Sequence, residues 1–267
     1  MPLSRTALLL ISSVALVAAD AAAPQPTVRG GLPGYTLAWN DEFTSPAVDI
    51  KRWSFRTDPT IWSAQQRQNV AVADGNLVVN LRKESVAGKG YTGGGVLSKE
   101  TFRSGFYEAR VRIPAGAGWS TSIRLQAPVT AQNESTLPSL RSISLFENAS
   151  INGGAFNVML SVAEAGMPVT AGGKTVTTPG LADGFQVVGV EFTERMVTFY
   201  RDGEVQQSID LTMAPVKSGS SVTAEPGQYR WWLSCVAANQ GGTTAVDDAA
   251  LPATMTVDYV RFFAPAK

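Results

Sequence analysis

The sequence predicts an all-β sandwich or barrel, on three observations. Short segments rich in β-branched and aromatic residues recur along the chain, several with apolar and polar side chains alternating at period two. Turn signals separate them about every eight to twelve residues. No helical periodicity is convincing beyond an apolar run at the N-terminus.

Taken in order, Tyr35 to Phe43 opens the strand-rich region. Gly75 to Leu81 follows a turn and is β-rich. Phe106 to Ile113 alternates over most of its length, as strands with one buried face do. Phe185 to Phe192 and Met196 to Tyr200 are two more strands. Arg201-Asp202-Gly203 ends the second at a tight turn, and Glu204 to Ile209 returns as its hairpin partner. Trp231 to Ala238 reads as a buried strand, and Met255 to Phe262 is a last alternating one.

Composition narrows the function classes. Of 267 residues, 16% are charged, and Lys plus Arg equals Asp plus Glu at 22 each. With no net charge, nothing draws in nucleic acid or an anionic membrane. A neutral partner such as a sugar suits this balance. Histidine is absent, which removes the usual neutral-pH base and the commonest transition-metal ligand. Cys235 is the single cysteine, so no intrachain disulfide, cysteine-based zinc site or iron–sulfur site forms. Its apolar neighbours make it a structural thiol rather than a reactive one.

The N-terminus reads as a secretory leader. Arg5 supplies a positive charge, and Ala7 to Ala19 is largely apolar, broken only by Ser12 and Ser13. Ala19-Asp20-Ala21 and Ala21-Ala22-Ala23 are small-x-small cleavage sites. The run is too short for a transmembrane helix of about 20 residues. Residues 1–23 are therefore assigned to a signal peptide, 24–34 to a flexible lead-in rich in Pro and Gly, and 35–267 to one domain. The location expected is secreted or periplasmic, and the state monomeric. Long polar segments near Pro128 to Pro138 and Pro215 to Pro226 are candidates for recognition loops.

Several motifs, in this order and spacing, carry a resemblance. They are Trp39-Asn40-Asp41-Glu42-Phe43 with Lys51-Arg52-Trp53, then Asn69-Val70 with Asp74-Gly75-Asn76-Leu77. Tyr91 to Lys99, followed by Phe102, Gly105 and Glu108-Ala109-Arg110, is the densest. Tyr200 to Gly203 and Leu251 to Arg261 complete the set. The chain resembles family 16 glycoside hydrolases, the bacterial laminarinase-like endo-β-glucanases among them. The resemblance runs from about Tyr35 to Phe263. It implies a concanavalin-like jelly-roll β-sandwich of two curved antiparallel sheets, with a sugar cleft on the concave face.

The resemblance also implies a catalytic strand of the form Glu-x-Asp-x-x-Glu in a retaining enzyme: nucleophile, helper and acid/base. Positions i and i+2 share one face of a strand, and a β-bulge is needed to bring i+5 into line. Here the matching stretch is Ser142-Ile143-Ser144-Leu145-Phe146-Glu147. Glu147 stands at the acid/base position, Ser142 at the nucleophile position and Ser144 at the helper position. A serine has no negative charge for an oxocarbenium-like transition state, and the chain has no histidine to activate it. The family's Trp-Pro-Ala-x-Trp-x-Leu reads Trp119-Ser120-Thr121-Ser122-Ile123-Arg124-Leu125, so its second tryptophan has become Ile123. Without anionic neighbours, only desolvation would keep Glu147 protonated.

Sugar clefts set flat aromatic faces against pyranose rings, which makes Trp119, Trp231, Trp232, Tyr229 and Trp62 candidates; by the resemblance Trp119 and Asn239 match cleft positions, and Trp119, Trp231 and Asn239 are assigned to the sugar cleft. Trp231 and Trp232 are neighbours on one strand, so at most one faces the cleft. No cofactor is required. A structural calcium on the convex side would use Glu42, the backbone of Gly75 and Asp258. Three functions remain open: a sugar-binding protein acting on β-glucan or a related polysaccharide with impaired catalysis, an active hydrolase with altered chemistry at Glu147 and another base such as Glu134 or Glu164, and a sandwich with no sugar role.

Overall fold

A computed structural model describes residues 32–60, 62–127, 139–147, 150–151, 154–164, 167–213, 228–238 and 245–266. The leader and most of the lead-in lie outside the described residues, as do both recognition-loop candidates. Among the described residues no helix is long and apolar enough to cross a membrane.

The first strands are β1 (Tyr35–Asp41), β2 (Trp53–Phe55), β3 (Ser63–Gln65), β4 (Val70–Ala73), β5 (Asn76–Leu81) and β6 (Tyr91–Ser98). Next come β7 (Gly105–Arg112), β8 (Trp119–Gln126), β9 (Ser139–Glu147), β10 (Ala155–Glu164) and β11 (Met167–Thr177). The last are β12 (Gln186–Phe192), β13 (Met196–Arg201), β14 (Glu204–Asp210), β15 (Arg230–Ala237) and β16 (Ala253–Pro265). They form two antiparallel sheets. The first runs β14-β13-β12-β7-β16-β5-β4, with β1 beside β16. The second runs β11-β10-β9-β8-β15-β6-β2, and β3 adds to β6 in parallel.

One apolar core takes side chains from both sheets. Val79, Tyr107, Val188 and Val257 come from the first, and Val96, Ile123, Ile143, Leu160 and Leu233 from the second. This is the jelly-roll sandwich expected. Period-two alternation places the inward rows: Leu77, Val79 and Leu81 on β5 are fully buried while Asn76, Val78 and Asn80 are not.

Local chemistry explains the landmarks. In the opening motif, Asp41 closes the corner after β1: one carboxylate oxygen accepts from the Phe43 N–H at 2.9 Å, the other from Trp53 Nε1 at 2.7 Å. The Asp202-Gly203 hairpin has positive φ at both residues, 46° and 82°, between the paired Arg201 and Glu204. Both signs are what a two-residue primed turn demands. At Gly95 on β6, a Cβ would lie 2.5 Å from the Leu233 carbonyl oxygen, so β6 can approach β15 only without a side chain there. Cys235 is fully buried on β15, and burial pushes its thiol up to about 12. It is a packing residue, inert at neutral pH.

Candidate active site

The site lies on the outer face of the second sheet, and strand parity builds it. On β15, Trp231, Leu233, Cys235 and Ala237 point into the core, so Trp232, Ser234 and Val236 point outward. Trp232 pairs with Arg124 and Ser234 with Ser122 on β8. Across the next ladder Ser122 faces Glu147, Arg124 faces Ser144, and Gln126 faces Ser142 on β9. One cross-strand patch therefore holds all three positions of the expected catalytic motif.

The expected bulge is present. The β8–β9 register slips between Ile123 and Arg124, so Leu145 on β9 has no opposite number. Leu145 and Phe146 both turn inward and are buried, which returns Glu147 to the outer face with Ser144 and Ser142. Glu147 is thus not an ordinary solvated residue on a straight strand. Ser122, Ser142, Ser144 and Glu147 point away from the core yet are all buried, so this face is recessed.

Three contacts converge on one oxygen of Glu147. Ser122 Oγ donates to Oε2 at 2.7 Å and Ser144 Oγ at 3.2 Å, while Arg124 Nη1 approaches to 3.9 Å. Burial still dominates and pushes the Glu147 carboxyl above its ordinary range, with Arg124 and the two hydroxyls offsetting part of the rise. A carboxyl raised in this way binds protons in the folded state that the unfolded state has already released. Stability should fall as pH rises from the ordinary glutamate range through the raised value. Glu147→Gln removes that dependence. The melting temperature of the variant minus that of the native protein is expected to climb across this window and then level. A difference that stays flat with pH would show that Glu147 ionises normally.

Around Trp232 the patch is cationic. The Arg56 guanidinium carbon lies 3.5 Å from the ring centroid and that of Arg124 lies 4.0 Å away. Two planar cations this close to one centroid cannot share a face without colliding, so the indole is clasped between them. Arg56 arrives just past β2, where its N–H bonds the Gly95 carbonyl, and its guanidinium pairs with Asp58. Burial pulls both arginines below their ordinary range. Arg230 stands across from Gln126 on the same face.

The structure corrects two assignments and separates others. Trp119 and Trp231 are 0% exposed, with neighbours throughout the core, and cannot touch a ligand in the recess. Trp231 instead packs edge-on against Tyr107 at 5.7 Å. Of the adjacent pair, Trp232 is the one on the site face. Tyr229 is also core, and Trp62 is 42% exposed just before β3. Asn239 and Glu134 lie outside the described residues. Glu42, Gly75 and Asp258 do not fit a bound calcium. Both Glu42 oxygens accept from Arg261 at 2.9 Å, Asp258 pairs with Arg110, and Gly75 sits in the β4–β5 turn. Arg261 also lies 3.7 Å from the buried Glu108, so its guanidinium already serves Glu42 and Glu108 together. Among the described residues no three His, Cys, Asp or Glu side chains gather as a metal site.

Residue reasoning missed Arg56, Arg124, Arg230 and Ser122. It held Trp232 as a candidate but chose Trp231 over it, although the better choice was within reach: Cys235 reads as buried from its neighbours, and Trp231 shares its parity, which leaves Trp232 for the other face.

No family model matches the chain. A β-glucanase from Rhodothermus marinus is 23% identical over 253 residues, 86% of each chain. A solved endo-acting O-glycanase, of the kind with which human gut microbiota initiate mucin breakdown, aligns with a TM-score of 0.74 at 22% identity, covering 91% of this chain and 94% of its own. A laminarinase from Flavobacterium sp. UMI-01 aligns with a TM-score of 0.72 at 19% identity, over 86% of this chain and 100% of its own. SCLam, a non-specific endo-β-1,3(4)-glucanase from family GH16, aligns with a TM-score of 0.71 at 23% identity, over 87% and 96%. It was crystallised as a Glu→Ser variant with a 1,3-β-D-cellobiosyl-glucose at its active site. The fold is thus that of the GH16 laminarinases and endo-glucanases, and in fold the chain is GH16-like.

Proposed function

We propose that this chain is a secreted GH16-like protein that binds a polysaccharide of the β-glucan type, or a relative of it, in the recess over β8, β9 and β15, and does not cleave it by the retaining route. One observation carries the reading: on the bulged strand only Glu147 bears a carboxylate, while Ser142 and Ser144 share its face. Retention needs a nucleophile and an acid/base about 5–5.5 Å apart. A serine with no base cannot replace the first. Loss of a nucleophile removes about 10⁴–10⁶ in rate, roughly 5–8 kcal/mol. Burial raises the Glu147 carboxyl without supplying a nucleophile, and binding needs none. A Glu→Ser variant of SCLam still holds a 1,3-β-D-cellobiosyl-glucose at its active site, which supports binding by a serine-substituted relative.

The test pairs calorimetric titration of laminarin oligosaccharides with a reducing-end assay on the same protein. Binding without release above blank is the expected result. Release abolished by Glu147→Gln would establish altered but real hydrolysis, and the absence of binding to any polysaccharide would leave a sandwich with no sugar role.

A further inference from the structure

The recess is the wrong sign for a glycosidase centre. Among the described residues three arginines border it. Arg124 and Arg230 lie on its face, and Arg56 lies over Trp232. Against them, among the described residues, stand two carboxylates, Glu147 and Asp58. At the centre, the two serines have removed the negative charge that the motif would otherwise supply.

Two of these arginines are also under-coordinated. Arg124 is largely buried, its anion Glu147 is 3.9 Å away, and its Nε is buried with no acceptor among the described residues. The Nε of Arg230 is buried in the same condition. A buried donor without an acceptor costs about 1–3 kcal/mol, more when charged, so a ligand oxygen that meets either guanidinium recovers part of that cost. Guanidinium donors match the oxygens of a sulfate or carboxylate as a planar fork. Meanwhile the clasp covers both faces of Trp232, the aromatic surface on this patch that a neutral pyranose would stack on.

We infer that the recess recognises an anionic saccharide, a pyranoside chain bearing sulfate esters or carboxylates, through Arg124, Arg56 and Arg230 gathered around Trp232. The inference rests on the saccharide-binding reading above and narrows its ligand class. The clasp holds two guanidiniums in fixed planes before the ligand arrives, which lowers the ordering cost of binding. Salt dependence follows directly, because the recognition is a charge contact at a partly open face.

The experiment compares one backbone in three states: laminarin, sulfated laminarin and carboxymethyl laminarin. Inorganic sulfate and dextran sulfate serve as controls, and each ligand is titrated into the full chain at low and high salt. The sulfated or carboxymethyl form is expected to bind about 10- to 100-fold more tightly than laminarin, as one to two charge-assisted contacts allow. Whichever form binds tighter names the anion. Arg124→Gln and, separately, Arg56→Gln should erase most of that gain and bring the charged form close to laminarin. The second variant covers the case in which the first fails to fold.

Equal or tighter binding of uncharged laminarin would overturn the anionic inference and leave the saccharide reading standing. Dextran sulfate binding as tightly as sulfated laminarin, unmoved by either arginine variant, would overturn it as mere polyanion adsorption. Inorganic sulfate alone accounting for all the affinity would overturn the saccharide part of the inference. Silence from every polysaccharide would remove the saccharide reading itself.

Discussion

The Ser142→Glu/Ser144→Asp variant is expected to release reducing ends from laminarin, or from its sulfated form if that binds better, at least about 10³-fold faster than the native protein. The backbone for the reaction is already in place. The Leu145 bulge aligns positions 142, 144 and 147 on one buried face, so the substitutions add carboxylates without rebuilding the strand. Glu147 is already raised by burial, and new anions beside it should raise it further, as an acid/base requires. The pH–rate profile should therefore be bell-shaped, set by the carboxylate introduced at position 142 on its acid limb and by Glu147 on its basic limb. Adding Glu147→Gln to the double variant should return the rate to blank. A folded, ligand-binding double variant with no activity would mean that β9 does not present its residues as a glycosidase strand does. Arg124 makes the test demanding, because it will compete for the new carboxylates.

Two adjacent tryptophans should separate stability from recognition. Trp231→Ala empties a fully buried site facing Tyr107, and is expected to cost about 3–5 kcal/mol. For a domain of this size that is a fall of about 6–20 °C in melting temperature. Any fraction that remains folded should bind ligand as the native protein does, since the residue never reaches the recess. Trp232→Ala should do the reverse. It loses two cation–π contacts worth about 0.5–1 kcal/mol each, a small change in melting temperature. It also frees Arg56 and Arg124 to splay, so affinity for the anionic glycan should drop about 10-fold. Thermal melts and titrations on both variants decide the matter. Equal effects on both properties would break the assignment of one face to the core and the other to the site.

The first sheet was legible in the sequence because several of its strands alternate over much of their length, β5 throughout, and end in turns with clear chemistry, as at Asp202-Gly203. The second sheet was read less completely. β10 carries Phe156, Val158, Leu160 and Val162 inward at period two, a signal that local reasoning could have used and did not. β11 pairs through Gly172 and Gly173 and has a register slip, so alternation is weak there, and β2 and β3 are too short to show a period. In the site, the bulge at Leu145 followed from chemistry, since three functional positions had to share one face. The arginine clasp did not. Arg56, Arg124 and Trp232 are far apart in sequence and meet only through the pairing of β2, β6, β15 and β8, which no local pattern encodes. The trespass of Arg261 on the carboxylates of Glu42 and Glu108 was hidden for the same reason.

β16 is the longest strand and pairs with β1 from Tyr35 opposite Pro265 to Asp41 opposite Val260. The two ends of the described domain therefore leave the molecule side by side, and on the sheet that does not carry the recess. A tether, fusion partner or neighbouring module attached at either end would hang from the back of the sandwich. Such a graft, or a circular permutation that joins the two ends by a short linker, leaves the recess turned toward whatever polymer lies in front of it.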